Sequence, residues 1–301
     1  MKEKAAILVA YFLIYVVWGS TYYFIGVALQ GFPPFLLGAI RFAVAGGVLL
    51  AICAIRGEQV MRPSLIRRSA VSGIVLLFID MAVVMLAQRY VSSSLVAVIA
   101  SSTAVWIMLL DVPRWRQNFR TPTTLVGIIG GFAGVAMLYL EQAGLPEESG
   151  HRERGILLLV FGCVSWSLGT LYAKYRSSQV ESINGFGGSA WQMLSASVMF
   201  CAGMLLTGEW SAFSPSELPL SALLSLLYLI VFGSLLAYSA YVWLLKVRPA
   251  TEVATHVYVN PLVAVLIGAG LGDEEVTILQ LLGLFIILIS VMLVNRKRKE
   301  A

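Results

Sequence analysis

Two charged side chains lie inside long apolar stretches of this 301-residue chain. Arg41 stands about seven residues into the stretch 34–55, roughly 10 Å from its start at 1.5 Å per residue. A guanidinium at that depth can bind a solute carboxylate through two parallel hydrogen bonds, pair with a carboxylate of the chain, or reach up to the membrane surface. Asp80 lies near the middle of the stretch 69–89. Its isolation predicts a proton-linked or cation-sensing group facing a cavity. The alternative is a hydrogen-bonded packing residue, for which Arg41 is a candidate partner.

Aromatic residues form a stripe along the first apolar stretch. Tyr11, Tyr15, Trp18 and Tyr22 recur at spacings that place them on one helical face. The stripe covers about 16 Å of depth, whereas an aromatic belt at the membrane surfaces would collect at the two ends. Further aromatics lie at middle depths of other stretches, namely Trp106, Trp166, Tyr238, Tyr241 and Tyr258. Together they predict walls for an apolar or cationic solute, with helix packing as the alternative.

The stretch 250–270 carries polar side chains at a helical spacing. Glu252, His256 and Asn260 follow one another at four-residue intervals and therefore share one face. Pro261 removes one hydrogen bond of the helix. This pattern predicts a kinked gating helix whose His256, Asn260 and nearby tyrosine touch the solute. Hydrogen bonding of His256 to a neighbouring helix is the alternative.

The elements that must position these residues are membrane-spanning helices. Hydrophobic residues make up 59% of the chain and charged residues only 12%, with a mean hydropathy of +0.86. A soluble protein carries about 25% charged residues, and a spanning helix needs about 20 apolar residues. In lipid such a backbone must satisfy its own hydrogen bonds, which favours helices. Ten spans are predicted, at 5–27, 34–55, 69–89, 92–110, 123–140, 155–175, 184–206, 219–245, 250–270 and 277–295.

The basic residues predict how these helices are oriented. Nearly all of the 21 Lys and Arg residues lie in connections on the side of both termini, and the other side holds only Arg89, Arg152 and Arg154. Because positive residues stay in the cytoplasm, both termini are expected there, in a multi-pass protein of a bacterial inner (plasma) membrane. The net charge of +5 is spread over these connections, so a lipid bilayer and a small solute are expected as partners, and no nucleic acid.

The polar segment 143–154 divides the chain into two halves, 1–142 and 155–301, with five predicted spans each. An odd number of spans makes the second half enter the membrane from the opposite face, so the repeat is inverted. Inverted repeats are typical of secondary transporters, whose solute site lies at the repeat interface near the bilayer midplane. We therefore expect an all-α integral membrane protein of ten transmembrane helices, built as two inverted five-helix repeats that expose the site alternately to the two sides.

Residues at matching positions support the repeat. Trp18 in the first span has a counterpart in Trp166 of the sixth, and Arg41 in the second span has a counterpart in Gln192 of the seventh. Gln192 therefore joins the predicted solute-binding residues.

Five short motifs resemble the drug/metabolite transporter superfamily, EamA branch. They are Trp18-Gly19-Ser20-Thr21-Tyr22, Pro33-Pro34-Phe35, Arg41-Phe42, Val259-Asn260-Pro261-Leu262 and Gly272-Asp273-Glu274-Glu275. The chain departs from the family in span four, which has Thr103-Ala104-Val105 in place of a mid-helix proline, and after it, where Asp111-Val112-Pro113-Arg114 replaces a glycine-glutamate turn. The resemblance implies a ten-helix exporter of amino acids, including aromatic ones, or related metabolites. A multidrug or cationic-compound exporter of the same fold is the alternative.

Other classes of membrane protein find less support in the residues. An intramembrane enzyme would need a nucleophile elbow or a zinc-binding His-Glu-x-x-His, and neither motif occurs. The three cysteines lie inside apolar stretches, which predicts packing roles; no disulfide, metal or cofactor is expected. The glycine pattern of span five predicts close helix approach, within the fold or between subunits, and leaves the oligomeric state open.

Overall fold

The structure, a computed structural model, describes residues 2–115, 122–143, 152–176, 185–248, 253, 255–272 and 274–295. In these residues eight helices are long and apolar enough to cross a membrane, and two shorter apolar helices complete the ten predicted spans. We number them α1 to α10: Lys4–Ala28, Pro34–Ile55, Pro63–Ala87, Ser93–Leu110, Pro122–Ala143, Arg152–Arg176, Phe186–Thr207, Leu220–Tyr241, His256–Leu271 and Ile278–Asn295. The prediction of an all-α membrane protein with two inverted five-helix repeats is confirmed.

Local sequence explains where several helices begin and end. α2, α3 and α5 start at Pro34, Pro63 and Pro122, a position where the missing N–H of proline costs no helical hydrogen bond. Gly57 and Gly208 follow α2 and α7 with φ values of 71° and 72°, which favour glycine. Most of the predicted linker, residues 144–151, lies outside the described residues, so the domain boundary there stays a prediction.

Three spans contain π-helical turns that the periodicity did not predict. They occupy Leu13–Val17 of α1, Ile74–Ile79 of α3 and Leu229–Ala237 of α8. α3 and α8 are the third helices of the two halves, so their π turns are counterparts. Such turns are frequent at functional sites, because they rotate the residues that follow.

The fourth span is also less regular than predicted. A turn at Ser101 and Ser102 divides it into two helical parts, Ser93–Ala100 and Thr103–Leu110. The hydroxyl of Ser101 donates to the carbonyl oxygen of Val98, 2.6 Å away, and so satisfies one backbone acceptor at the break.

The helices pack as two bundles that exchange members between the halves. One bundle contains α1, α2, α8 and α9, and the other contains α6, α7, α3 and α4. Each bundle therefore combines the first two helices of one half with the third and fourth of the other. α5 and α10 pack along each other at the side.

Two seams join the bundles. Along the first, α2 and α7 pack over their length, and a Cβ on Gly38 or Gly46 would lie 2.5 Å and 2.9 Å from Phe200 and Leu194, respectively. Glycine therefore lets these helices approach closely. Along the second seam, α9 packs on α4 mainly at Ser93–Ala100, the first part of that helix.

The second seam defines two ends of the molecule. We call the end at which α1 begins and α10 ends the terminal face, and the opposite end the far face. Ser93–Ala100 lies near the far face, and α1 also contacts α4 there. The packing of the bundles at this seam is thus concentrated at the far face.

The glycines of α5 serve contacts within the fold. A Cβ on Gly130 or Gly134 would meet Ser290 or Ile287 of α10, at 2.6 Å and 2.8 Å. Gly131 lies against Val105 of α4 in the same way. Of the two roles predicted for this pattern, the structure shows helix approach within the subunit.

Candidate functional site

Arg41 is buried at the junction of α2 and α8. Its side chain is 5% exposed, and its Nε donates to the hydroxyl oxygen of Ser234 over 2.9 Å. Gly233 makes room for the guanidinium, since a Cβ there would lie 3.2 Å from Nη2. Nη1 has no hydrogen-bond partner, and no described carboxylate forms an ion pair with Arg41. The pairing with Asp80 that the sequence left open is not formed.

Gln192 occupies the matching position at the junction of α7 and α3. Its Nε2 lies 3.4 Å from the hydroxyl oxygen of Ser72, and its Oε1 accepts from the hydroxyl of Tyr238. A polar residue on the second helix of each half thus binds a serine on the third helix of the other half. The bond from Tyr238 also crosses between the bundles.

Asp80 follows the π turn of α3 and is half-buried. Its carboxylate is close enough to Tyr22 of α1 and Cys163 of α6 for electrostatic interaction, and its Oδ1 lies 3.6 Å from the position of a Cβ on Gly162. Within the described part of the chain, no hydrogen bond or ion pair holds this carboxylate. A carboxylate without such a partner between helices of both bundles is energetically costly, which makes Asp80 a candidate for binding a ligand.

An aromatic cluster surrounds Trp18. Its ring centroid lies 6.4 Å from that of Tyr238, 5.1 Å from that of Tyr241 and 5.4 Å from that of His256. The indole Nε1 donates to the carbonyl oxygen of Gly233 over 3.2 Å, which fixes the ring. We call these four residues the aromatic cluster. All but Tyr238 are partly exposed.

Polar groups of α9 bind α1 and Val253, which precedes α9. His256 Nδ1 lies 2.9 Å from the carbonyl oxygen of Val253, which can only accept, so Nδ1 carries the proton. With its amide nitrogen turned toward α1, Asn260 donates to the carbonyl oxygens of Ile14 and Tyr15 over 2.9 and 3.0 Å. These carbonyls belong to the π turn of α1, so Asn260 satisfies irregular backbone. Glu252 lies outside the described residues.

The remaining predicted residues lie apart from the aromatic cluster. Trp106 packs edge-on against Phe132 of α5, with ring centroids 4.8 Å apart. The hydroxyl of Tyr258 donates to the carbonyl oxygen of Val291 in α10 over 3.2 Å. Tyr22 lies beside Asp80, and Trp166 is half-buried on α6. Pro261 is buried inside α9.

Sequence reasoning missed the serine-glycine pairs that receive the polar side chains. Ser72 and Gly73 precede the π turn of α3, while Gly233 and Ser234 lie within that of α8. Each pair combines a small residue with a hydroxyl in the third span of its half, and this repetition could have been found in the sequence. In the described residues no cluster of three or more His, Cys, Asp or Glu could hold a metal ion.

Two inverted repeats that exchange helices between two bundles are an architecture of transporter folds. The EamA-like transporter family matches residues 4–140 and 153–296. The chain belongs to this family and is a membrane transporter.

Several relatives extend over nearly the whole chain. The uncharacterized inner membrane transporter YedA of Escherichia coli K12 is 34% identical over 95% of this chain and 89% of its own. The uncharacterized transporter YvbV of Bacillus subtilis is 29% identical over 99% and 93%, respectively. An S-adenosylmethionine/S-adenosylhomocysteine transporter of Chlamydia muridarum is 25% identical over 86% and 83%. A solved crystal structure shares the fold with a TM-score of 0.63, at 19% identity over 96% of this chain and 97% of that one.

Proposed function

We propose that the protein exports small metabolites by alternating access, as a secondary transporter or facilitator, and that these are foremost amino acids with aromatic or hydrophobic side chains. The observation that carries this proposal is the pair Arg41 and Asp80. They bear opposite charges, lie on different bundles and have no ion-pair partner among the described residues. Each is about seven residues, or about 10 Å, from the far-face end of its helix.

An amino acid carries one group complementary to Arg41 and another complementary to Asp80. Its carboxylate complements the free Nη1 of Arg41, and its ammonium complements the carboxylate of Asp80. Nη1 is shielded from solvent in this conformation, whereas Asp80 is half-buried. The proposed order of contacts therefore begins at Asp80, and Arg41 becomes available as the bundles move.

The aromatic residues supply the selectivity for the solute side chain. Trp18 and Tyr241 are partly exposed and lie with ring centroids 5.1 Å apart, and Trp166 adds an indole on the opposite bundle. Stacking on such rings favours a flat or apolar side chain. The other residues predicted from the sequence stay in the proposed site, where they contact the solute or support residues that do: Tyr22, Trp106, Gln192, Tyr238, His256, Tyr258 and Asn260.

The seams support a direction of transport for this proposal. The bundles pack along α4 and α9 near the far face, and we therefore propose the terminal face as the side of entry. If that face is cytoplasmic, as the basic residues predict, the solute loads from inside and leaves outside. We assign Pro261 the role of a gate, because it removes a hydrogen bond of α9, the helix that must move.

A cationic aromatic compound is the second candidate solute. Asp80 beside Tyr22 offers a carboxylate and an aromatic ring, which together suit a cation. The chlamydial relative is named for S-adenosylmethionine, which carries an amino-acid group, a flat ring and a positive sulfonium. Under this alternative Arg41 is a structural partner of Ser234 and does not touch the solute.

Efflux from cells tests the proposal. Cells that overproduce the protein are loaded with labelled phenylalanine, and its loss is followed against cells with the Trp18→Ala variant. A matched control is Trp210→Ala, since Trp210 lies 62% exposed on the connection after α7. We expect faster efflux from the parent and the control, and little from Trp18→Ala.

Inhibition of efflux by unlabelled competing solutes distinguishes the two candidate substrates. Inhibition of efflux by other aromatic amino acids supports the proposal, whereas inhibition by aromatic cations alone favours the second candidate. Equal efflux from all cells, including those without the protein, would refute export of phenylalanine.

A further inference from the structure

We propose that Glu274 is a latch that holds the far face closed, an inference that rests on the alternating-access function proposed above. Glu274 follows α9 and therefore belongs to the bundle of α1, α2, α8 and α9. Its carboxylate binds the start of α4, in the other bundle. This contact spans the seam between α9 and the first part of α4, which lies near the far face.

Four hydrogen bonds form the latch. Oε1 accepts from the backbone N–H and the hydroxyl of Ser93, over 2.9 and 2.6 Å. Oε2 accepts from the backbone N–H and the hydroxyl of Ser94, over 3.0 and 2.5 Å. The two amides are among the unsatisfied donors of a helix N-terminus, which also favours negative charge. All donors point at one carboxylate, so the bonds form or break together.

The surroundings of the latch are built for close contact. A Cβ on Gly268 would collide with the carboxylate of Glu274 and with the hydroxyl of Ser94. The hydroxyl of Ser94 also lies 3.5 Å from the carbonyl oxygen of Ala264. Opening the far face must separate α9 from Ser93 and Ser94, and therefore must break the four bonds.

A second carboxylate provides a contrast. Glu209 Oε2 accepts from the backbone N–H groups of Phe35 and Leu36, over 2.8 and 3.0 Å, and so joins α7 to the start of α2. α2 and α7, however, pack along their whole length, and breaking one cap does not part them. Glu209 is therefore a helix cap on a permanent seam, and Glu274 is the latch.

Thiol labelling from each side measures the latch. Cys53, Cys163 and Cys201 are replaced by Ala, and Ala264→Cys adds a reporter at a position that is fully buried. Right-side-out and inside-out vesicles are treated with a charged maleimide that does not cross membranes. We expect Glu274→Gln to raise the labelling rate about tenfold or more from the far-face side only, because its amide donors oppose the donors of α4.

Matched variants control for effects of charge and of folding. Glu275→Gln changes the same charge at the neighbouring exposed residue and should leave labelling unchanged, as should Glu209→Gln. Should Glu274→Gln fail to fold, Ser93→Ala combined with Ser94→Ala removes two donors and retains the carboxylate, with a smaller rise expected. Folding is checked by size-exclusion chromatography.

Unchanged labelling in folded Glu274→Gln, or an equal rise in Glu275→Gln, would overturn the latch. The assay needs no solute, so it is separate from the test of export. Loss of phenylalanine efflux with intact latch behaviour would contradict only the proposed substrate. Labelling from neither side in any variant would contradict both the latch and alternating access.

Discussion

Arg41 keeps one part of its guanidinium bonded and another part free. The hydroxyl of Ser234 holds Nε, while Nη1 has no partner although it is buried. A buried donor without an acceptor costs about 1–3 kcal/mol of folding free energy, and Nη1 of Arg41 is such a donor. A solute carboxylate that accepts from it would gain that energy on binding.

Arg41→Gln should therefore weaken the binding of solutes that carry a carboxylate. We expect the KM for phenylalanine to rise about tenfold or more, with little change for phenethylamine, which lacks the carboxylate. Arg89→Gln, at an exposed position in a far-face connection, is the control. An equal loss for both solutes would assign Arg41 a purely structural role.

Asp80→Asn should separate proton coupling from binding. The amide keeps the size of the side chain but cannot gain or lose a proton near neutral pH. We expect net efflux to lose its dependence on pH across the neutral range, while exchange of phenylalanine persists with a raised KM, because the solute ammonium loses its carboxylate partner. Exposed Glu217→Gln is the control, and an unchanged pH profile in Asp80→Asn would leave Asp80 as a packing residue.

The helices α2 and α7 set how closely the two bundles approach. Gly38 faces Phe200, whereas Gly47 in the same helix has no atom within 4 Å of an added Cβ. The sequence predicted both spans but could not distinguish these glycines, because their difference lies in the partner helix. It likewise predicted neither the π turns nor the exchange of helices between bundles, since periodicity reports a buried face and not its partner.

Gly38→Ala and Gly47→Ala form a matched pair in one helix. The methyl at position 38 collides with a ring that is fully buried, so we expect a loss of about 1–3 kcal/mol in stability and a lower Tm. Gly47→Ala should be neutral or stabilising by up to about 1 kcal/mol. Thermal unfolding in detergent measures both, and equal Tm values would contradict the close seam.

Pro261→Ala restores a hydrogen-bond donor within α9. If the proline gates the helix, turnover of phenylalanine should fall more than binding, because the more regular helix bends less readily. Transport kinetics in proteoliposomes test this expectation, by comparing the change in kcat with the change in KM. Parallel losses in kcat and affinity would indicate disturbed packing around Asn260, which binds the backbone of α1 next to it.

At the scale of the whole molecule, the sequence predicted the fold class and the ten spans well. Composition and span lengths sufficed, because a backbone in lipid must satisfy its own hydrogen bonds and few structures allow this. The predicted site residues stay a prediction, and the structure brings only some of them together: Trp18, Tyr238 and His256 lie in one cluster, whereas Trp106 and Tyr258 lie against α5 and α10. Spacing along one helix places a residue on a face, and only the packing of all helices decides what that face meets.

The orientation of the chain is a prediction of the basic residues alone. We expect a fluorescent protein fused to the C-terminus to fluoresce, and alkaline phosphatase inserted between α5 and α6 to be active. These reporters mark the cytoplasm and the outside, respectively. The reverse pattern would place the terminal face outside and turn the proposed exporter into an importer.

Counterflow with purified protein tests the central claim most directly. Proteoliposomes preloaded with unlabelled phenylalanine are diluted into labelled phenylalanine, beside liposomes without protein. An alternating-access carrier of this solute should accumulate label transiently above equilibrium without any imposed gradient. Label that merely equilibrates at the rate of empty liposomes would contradict the account.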